Sequence, residues 1–256
     1  MNNVSEKMWV DYLTRLRRVN DAASNKMLKF IEQHPPINND EIANIIDFGY
    51  SISTEYGEAA AELACRMHDA VAKLSGLTID PAIPADTATI KDVAKSIRGT
   101  LKRSQNIEEL AASVGRLVKR TAADTVLNNA MRDGAEVAWI PHGDTCAYCI
   151  ALAANGWRPM SREMLKDGHA EHIHANCDCT YGVKFPNAPN LSYAFYNPER
   201  YERMYDKAEG TGREKINAMR RRFYKQNKDE INAQKRSAYA KSKELNSSAA
   251  EEFNVG

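Results

Sequence analysis

The chain of 256 residues can bury one sizeable core or two smaller ones, and its 35 Lys and Arg against 34 Asp and Glu leave a formal net charge of +1. No run approaches the ~18 apolar residues of a membrane span, and MNNVSEKMW at the start lacks a charged region followed by an apolar one; a soluble protein without an export signal is expected. The near neutrality conceals a polarity: residues 213–243 hold 11 Lys or Arg against 3 Asp or Glu, so this stretch is strongly basic and the remainder acidic.

Residues 4–34 read as an amphipathic helix. Met8, Trp9, Tyr12, Leu13, Leu16 and Val19 recur at helical spacing, Met27, Leu28 and Ile31 extend the stripe, and Pro35-Pro36 ends it. Asn39 is the expected N-cap of a second long helix, with Ile42, Ile45, Ile46, Phe48, Ile52, Leu63 and Val71 on its buried face. Small side chains in GEAAAELAC permit close packing, and Cys65 among them reads as a buried apolar residue. These two helices make an N-terminal helical hairpin, 1–76. Residues 77–87, LTIDPAIPADT, carry two prolines and few helix formers and form a linker.

Helical periodicity resumes near Ala88, pauses near Ser104 and runs from Ile107 to about Arg132, where Asp133-Gly134 gives a stop and turn signal. AEVAWI, 135–140, and TYGVKF, 180–185, have the composition of half-buried strands. Residues 186–212 read as a loop-rich connector. Beyond it, EKINAMRRRFYKQNK (214–228) and DEINAQKRSAYAKSK (229–243) repeat with a period of 15 residues, which two copies turn into one long basic helix rather than a solenoid.

Between the two strands lies the chemistry. Cys146, Cys149, Cys177 and Cys179 are four of the five cysteines, and His142, His169, His172 and His174 are four of the six histidines. A tetrahedral zinc site takes four N or S ligands, and ligand pairs two or three residues apart let one turn deliver two together. Cys146-x-x-Cys149 and Cys177-x-Cys179 have that spacing, and His174 offers a fifth candidate. His142, His169 and His172 read as surface residues or as supports for the ligands. A disulfide framework is the rival reading; reduced thiols in a chain with no export signal and an odd cysteine count favour metal. A zinc deaminase would need a His-x-Glu before its Cys-x-x-Cys, whereas His169-Ala170-Glu171 follows it, and the available ligands fill the coordination sphere with no place for a reactive water. A nuclease built on His172 and His174 is the other enzymatic alternative.

The order RTAADTVLNNAMRDGAEVAWIPHGDTCAYCIALAANG followed by HIHANCDCTYGV resembles the phage Mu F-like minor head protein domain over roughly residues 110–185. The matching positions are Arg120, Asn128 or Asn129, Trp139, Cys146, Cys149, Gly156, His174, Cys177 and Cys179, with Asp144 a loose match. The family's H-P-x-C-R-C form reads His174-Ala175-Asn176-Cys177-Asp178-Cys179, which lacks its proline and arginine. The resemblance implies a Mu F-like domain over 88–185, with its metal cluster in 135–185. It further implies a structural minor capsid protein of a tailed bacteriophage or prophage, made in the host cytoplasm and placed in the head interior near the portal, with portal and capsid or scaffold proteins as partners and no catalytic residues.

The fold class expected is therefore α+β and predominantly α-helical, with long N-terminal helices, a small metal-stapled α/β module and a basic C-terminal helical tail, 213–256. Zinc is the expected cofactor. Arg220, Arg221, Arg222, Lys225, Lys228, Lys235 and Arg236 are the candidate contacts to double-stranded DNA, because regularly spaced cations neutralise phosphates without reading sequence. A solvated helix face is the plainer reading of the same charges, and a cytosolic zinc-dependent nucleic-acid-binding module is the remaining alternative to a phage role.

Overall fold

In the computed structural model, which describes residues 4–240 apart from 105, 143–144, 162–178, 187, 189–190, 231, 234–235 and 238–239, helix α1 (Glu6–Gln33) starts at Ser5, whose hydroxyl accepts the N–H of Met8. It buries Trp9, Tyr12, Leu13, Met27 and Ile31, the stripe its periodicity predicts. Helix α2 (Asn39–Leu74) begins one residue earlier than expected: Asn38, not Asn39, is the N-cap, and its side chain accepts the N–H of Glu41 at 2.8 Å. Its C-terminus closes with paired bonds from Gly76 N–H to Lys73 O and Leu77 N–H to Ala72 O. That closure needs the left-handed conformation Gly76 adopts, φ +71°. Cys65 is buried on this helix, and burial, helped by Glu62 and Asp69, pushes its thiol up to about 11, which keeps it inert at neutral pH.

Helix α3 (Ile90–Leu101) opens with a reciprocal capping box between Thr89 and Asp92. Helix α4 (Ile107–Arg132), capped by Asn106, is buried on most of its circumference because α1, α2 and α3 all pack on it. Asp133-Gly134 ends it as expected, with Ala135 N–H bonding Ala130 O at 2.8 Å. Strand β1 (Glu136–Ile140) is the centre of a three-stranded antiparallel sheet in the order β2-β1-β3. Strand β3 (Thr180–Lys184) pairs Ile140 with Thr180 and Glu136 with Lys184, and β2 (Arg158–Pro159) is a two-residue edge. The outer edge of β3 is closed by a side chain: the Tyr193 hydroxyl donates to Val183 O at 2.7 Å and accepts Val183 N–H at 3.3 Å.

One hydrophobic core runs from α1 to α4 and through the sheet to residues 185–196, so the hairpin and the segment carrying the cysteines share their apolar interior. Trp9 joins α1 to the segment after β3, its ring against Tyr193 and Phe195. The linker 77–87 has no regular structure and lies along α4. Asn129 brackets Ile83 as a strand neighbour would, accepting its N–H and donating to its carbonyl, each at 2.8 Å. Ala85 N–H bonds Thr125 Oγ1, Ala82 N–H bonds Asp69 Oδ1, and Arg132 donates to the carbonyls of Asp80 and Pro81.

At the end of that strap sits a buried clasp that nothing in the sequence signalled. His68 of α2, 2% exposed, bonds through Nε2 to Asp133 Oδ2 at 2.8 Å, and Arg132 grips the same carboxylate at 2.7 and 2.8 Å. The His68 Nδ1 is buried without a partner, so the arrangement selects the neutral ring protonated on Nε2. Burial lowers the His68 pKa against the pull of Asp133, with Asp69 on the attractive side and Arg132 on the repulsive. Burial would raise the Asp133 carboxyl, but the bonds from Arg132 and His68 win and hold it below the usual range. A histidine depressed on folding binds its proton more tightly in the unfolded chain, so stability falls as pH drops below about 6.5 toward the folded value. Urea midpoints measured from pH 7.5 to 5 should decline, and His68→Gln should flatten the decline; an unchanged slope in the variant would assign it to other groups.

Candidate metal centre

Three of the five candidate ligands are among the described residues, placed after β1 and before β3. β1 runs out at Ile140, and the chain passes Pro141 and His142 before Cys146 starts helix α5 (Ala147–Ala153). Cys146 is the N-cap of that helix, and its sulfur accepts the N–H of Cys149 at 3.4 Å. Cys179 lies immediately before β3. Since Ile140 pairs with Thr180, it falls opposite the exit of β1, and its sulfur accepts the His142 N–H at 3.4 Å. Cys149 and Cys179 are buried and Cys146 half-buried. Among the described residues no disulfide is formed.

Cys177 and His174 lie outside the described residues, as do His169, His172 and Asp144. Among the described residues no three His, Cys, Asp or Glu side chains gather closely enough to hold a metal ion. The described thiols are of the donor type that zinc takes. Two of them, Cys146 and Cys179, accept a backbone N–H, and the Cys179 thiol also donates to His142 O at 4.0 Å. Cysteine is an unusual choice of N-cap when Ser, Thr, Asp or Asn would serve better in an ordinary helix.

The other positions singled out in the sequence divide cleanly. Trp139 is core, 3% exposed, with its ring edge-on to Tyr181 at 4.8 Å. Gly156 turns the chain out of α5 with φ +62°. Asn129 is buried and holds the linker, while Asn128 is exposed. Arg120 pairs with Asp124 at 3.4 Å within α4 and with Asp92 at 3.9 Å across to α3.

Two helices at this end of the molecule lie in or after the connector. Helix α6 (Pro198–Asp206) has Asn197 as N-cap and Pro198 at its first position. Helix α7 (Arg213–Gln226) is the described start of the basic tail; Asn227 interrupts it before helix resumes at 228. A second, small apolar cluster joins Ala147 and Ile150 of α5 to Met219 of α7, with Ile216, Phe223, Tyr201 and Tyr205 packed around it. Arg220, Arg221, Arg222, Lys225, Lys228 and Arg236 are exposed, and Lys235 lies outside the described residues.

Fold and site together define a mostly helical protein carrying a small cysteine-flanked antiparallel sheet, and no helix among the described residues is long and apolar enough to cross a membrane. The model of the VG15 protein family matches residues 3–208, and the chain belongs to that viral, phage-type family. No curated protein and no solved structure matches it.

Proposed function

We propose that this phage-type protein is a structural, non-enzymatic minor head component of the Mu F-like kind. In this reading the sheet module is stapled by zinc through Cys146, Cys149 and two of His174, Cys177 and Cys179. What supports it is the placement of Cys179 just before β3, opposite the exit of β1 where its sulfur accepts the His142 N–H, with Cys146 four residues further on as the cap of α5. A four-ligand zinc is closed to substrate and supplies folding energy, on the order of 10 kcal/mol in small domains. The chain's own residues then do mechanical work: α5 and β3 hold the thiols, and α1 to α4 present helical faces to portal, capsid or scaffold proteins in the head interior. The basic tail faces packaged double-stranded DNA. Assembly takes place in the host cytoplasm.

The test is mass spectrometry of purified virions and proheads. Peptides of this chain are expected in both, and Cys149→Ser should deplete them whereas Glu171→Ala should not. Absence from both particles would end the head-protein reading. A loss on Glu171→Ala equal to that on Cys149→Ser, with zinc retained, would favour an enzyme.

A further inference from the structure

Two asparagines are buried among the described residues, and they are treated differently. Asn129 of α4 is 2% exposed and gives its amide to backbone, accepting the Ile83 N–H and donating to the Ile83 carbonyl, each at 2.8 Å. Asn20 of α1 is 6% exposed, and its Oδ1 is buried with no hydrogen-bond partner among the described residues. A desolvated acceptor left unpaired weakens a fold, and an apolar side chain of the same shape would remove that cost. The α1–α4 crossing nevertheless keeps room for this amide. It meets Gly115 of α4, where a Cβ would lie 2.8 Å from Asn20 Oδ1 and would also collide with Ser24 Oγ.

Asn20 stands at the waist of a groove between α1 and α4, and Arg17, Asn20 and Lys119 line both of its halves. Toward the sheet the groove narrows to a cavity of about 30 Å³ walled by Leu13, Leu16, Val118 and Ala122, with Thr180 beside them. The charged side chains lining that half are Arg17 and Lys119, both cations. Away from the sheet the groove opens to about 360 Å³ between Ser24 and Leu28 of α1 and Glu108 and Ala111 of α4.

These features specify a ligand. An amide that offers an acceptor beside a donor matches one residue of an extended chain, as Asn129 does for Ile83. Arg17 and Lys119 favour a carboxylate close to that residue, and the apolar walls favour a small aliphatic neighbour, since successive side chains of an extended chain point to opposite sides. Arg17 meets Asp21 at 3.8 Å on an exposed surface, a weak pairing that a better-placed carboxylate can replace.

We propose that the α1–α4 groove is a docking site for an extended acidic segment of a partner protein, with the Asn20 amide bracketing one residue of its backbone and Arg17 and Lys119 holding an Asp or Glu beside it. The site involves neither the basic helix α7 nor any metal, so it stands independently of the function proposed above.

Selection of a random decapeptide library on the full-length protein tests it, followed by fluorescence anisotropy of the enriched peptides. These should carry an Asp or Glu next to an aliphatic residue. Their affinity should fall about tenfold or more on Asn20→Leu, which deletes two hydrogen bonds, and on Arg17→Glu. Replacing Arg220, Arg221 and Arg222 by Gln should leave it unchanged, which separates the groove from the basic tail. Thermal unfolding supplies the control: Asn20→Leu exchanges an unpaired amide for an apolar group of the same branching, so its Tm should equal or exceed that of the parent. A lower Tm would mean that Asn20 serves the fold itself and would overturn the proposal. So would the enrichment of no peptide, of peptides without an acidic residue, or of peptides that bind Asn20→Leu as tightly as the parent.

Discussion

Asp133→Ala is expected to be among the most damaging single substitutions in the chain. The Asp133 side chain is 9% exposed and receives His68 at 2.8 Å and Arg132 at 2.7 and 2.8 Å. Its removal leaves the His68 ring buried with neither nitrogen partnered, and Arg132 without the carboxylate that orients it toward the Asp80 and Pro81 carbonyls. Leaving the neutral His68 ring buried without a partner costs about 2 kcal/mol, the partly exposed Arg132 adding little. For a protein of this size that corresponds to a fall in Tm of roughly 4–8 °C. Asp133→Asn, which keeps an acceptor in place, should recover part of it. A change in Tm under 2 °C for the alanine variant would mean that water replaces the carboxylate and that the clasp contributes little.

The second large effect concerns DNA. If α7 and the residues after it neutralise about five phosphates of a duplex, log K should fall with log salt at a slope of roughly −4 to −5, from about −0.9 per contact, with little regard for sequence. Arg220, Arg221 and Arg222 are all exposed. Replacing the three by Gln should flatten the slope by about 2 to 3 while leaving zinc content and helical circular dichroism unchanged. Salt-independent binding, or none near physiological ionic strength, would make the stretch a solvated face or a protein-docking arm, and cross-links in assembled heads would then join it to protein instead.

Much of the scaffold was legible because its signals are local and strong. The apolar stripe of α1, the Asp133-Gly134 stop and the β-rich composition around Trp139 and Val183 each act within a few residues. Helix α5 was not legible: AYCIALA is short, lacks two-turn periodicity, and is capped by a cysteine that reads first as a ligand. Helix α6 was hidden inside a proline-rich connector, although Asn197-Pro198 is a start signal in its own right. The clasp could not be read at all, since His68 and Asp133 stand 65 positions apart and meet only when α2 packs on α4. Of the candidate ligands, the pairing of Cys146 with Cys149 came from spacing. The approach of Cys179 came from strand register, which the sequence does not state.

Metal content decides whether Cys146, Cys149, His174, Cys177 and Cys179 supply a metal staple. Protein expressed without added metal and purified under reducing conditions should carry about one zinc per chain by elemental analysis, and that zinc should be lost on Cys149→Ser but retained on Arg220→Gln. Less than about a fifth of an equivalent of any transition metal, together with two mapped disulfides among Cys146, Cys149, Cys177 and Cys179, would contradict it.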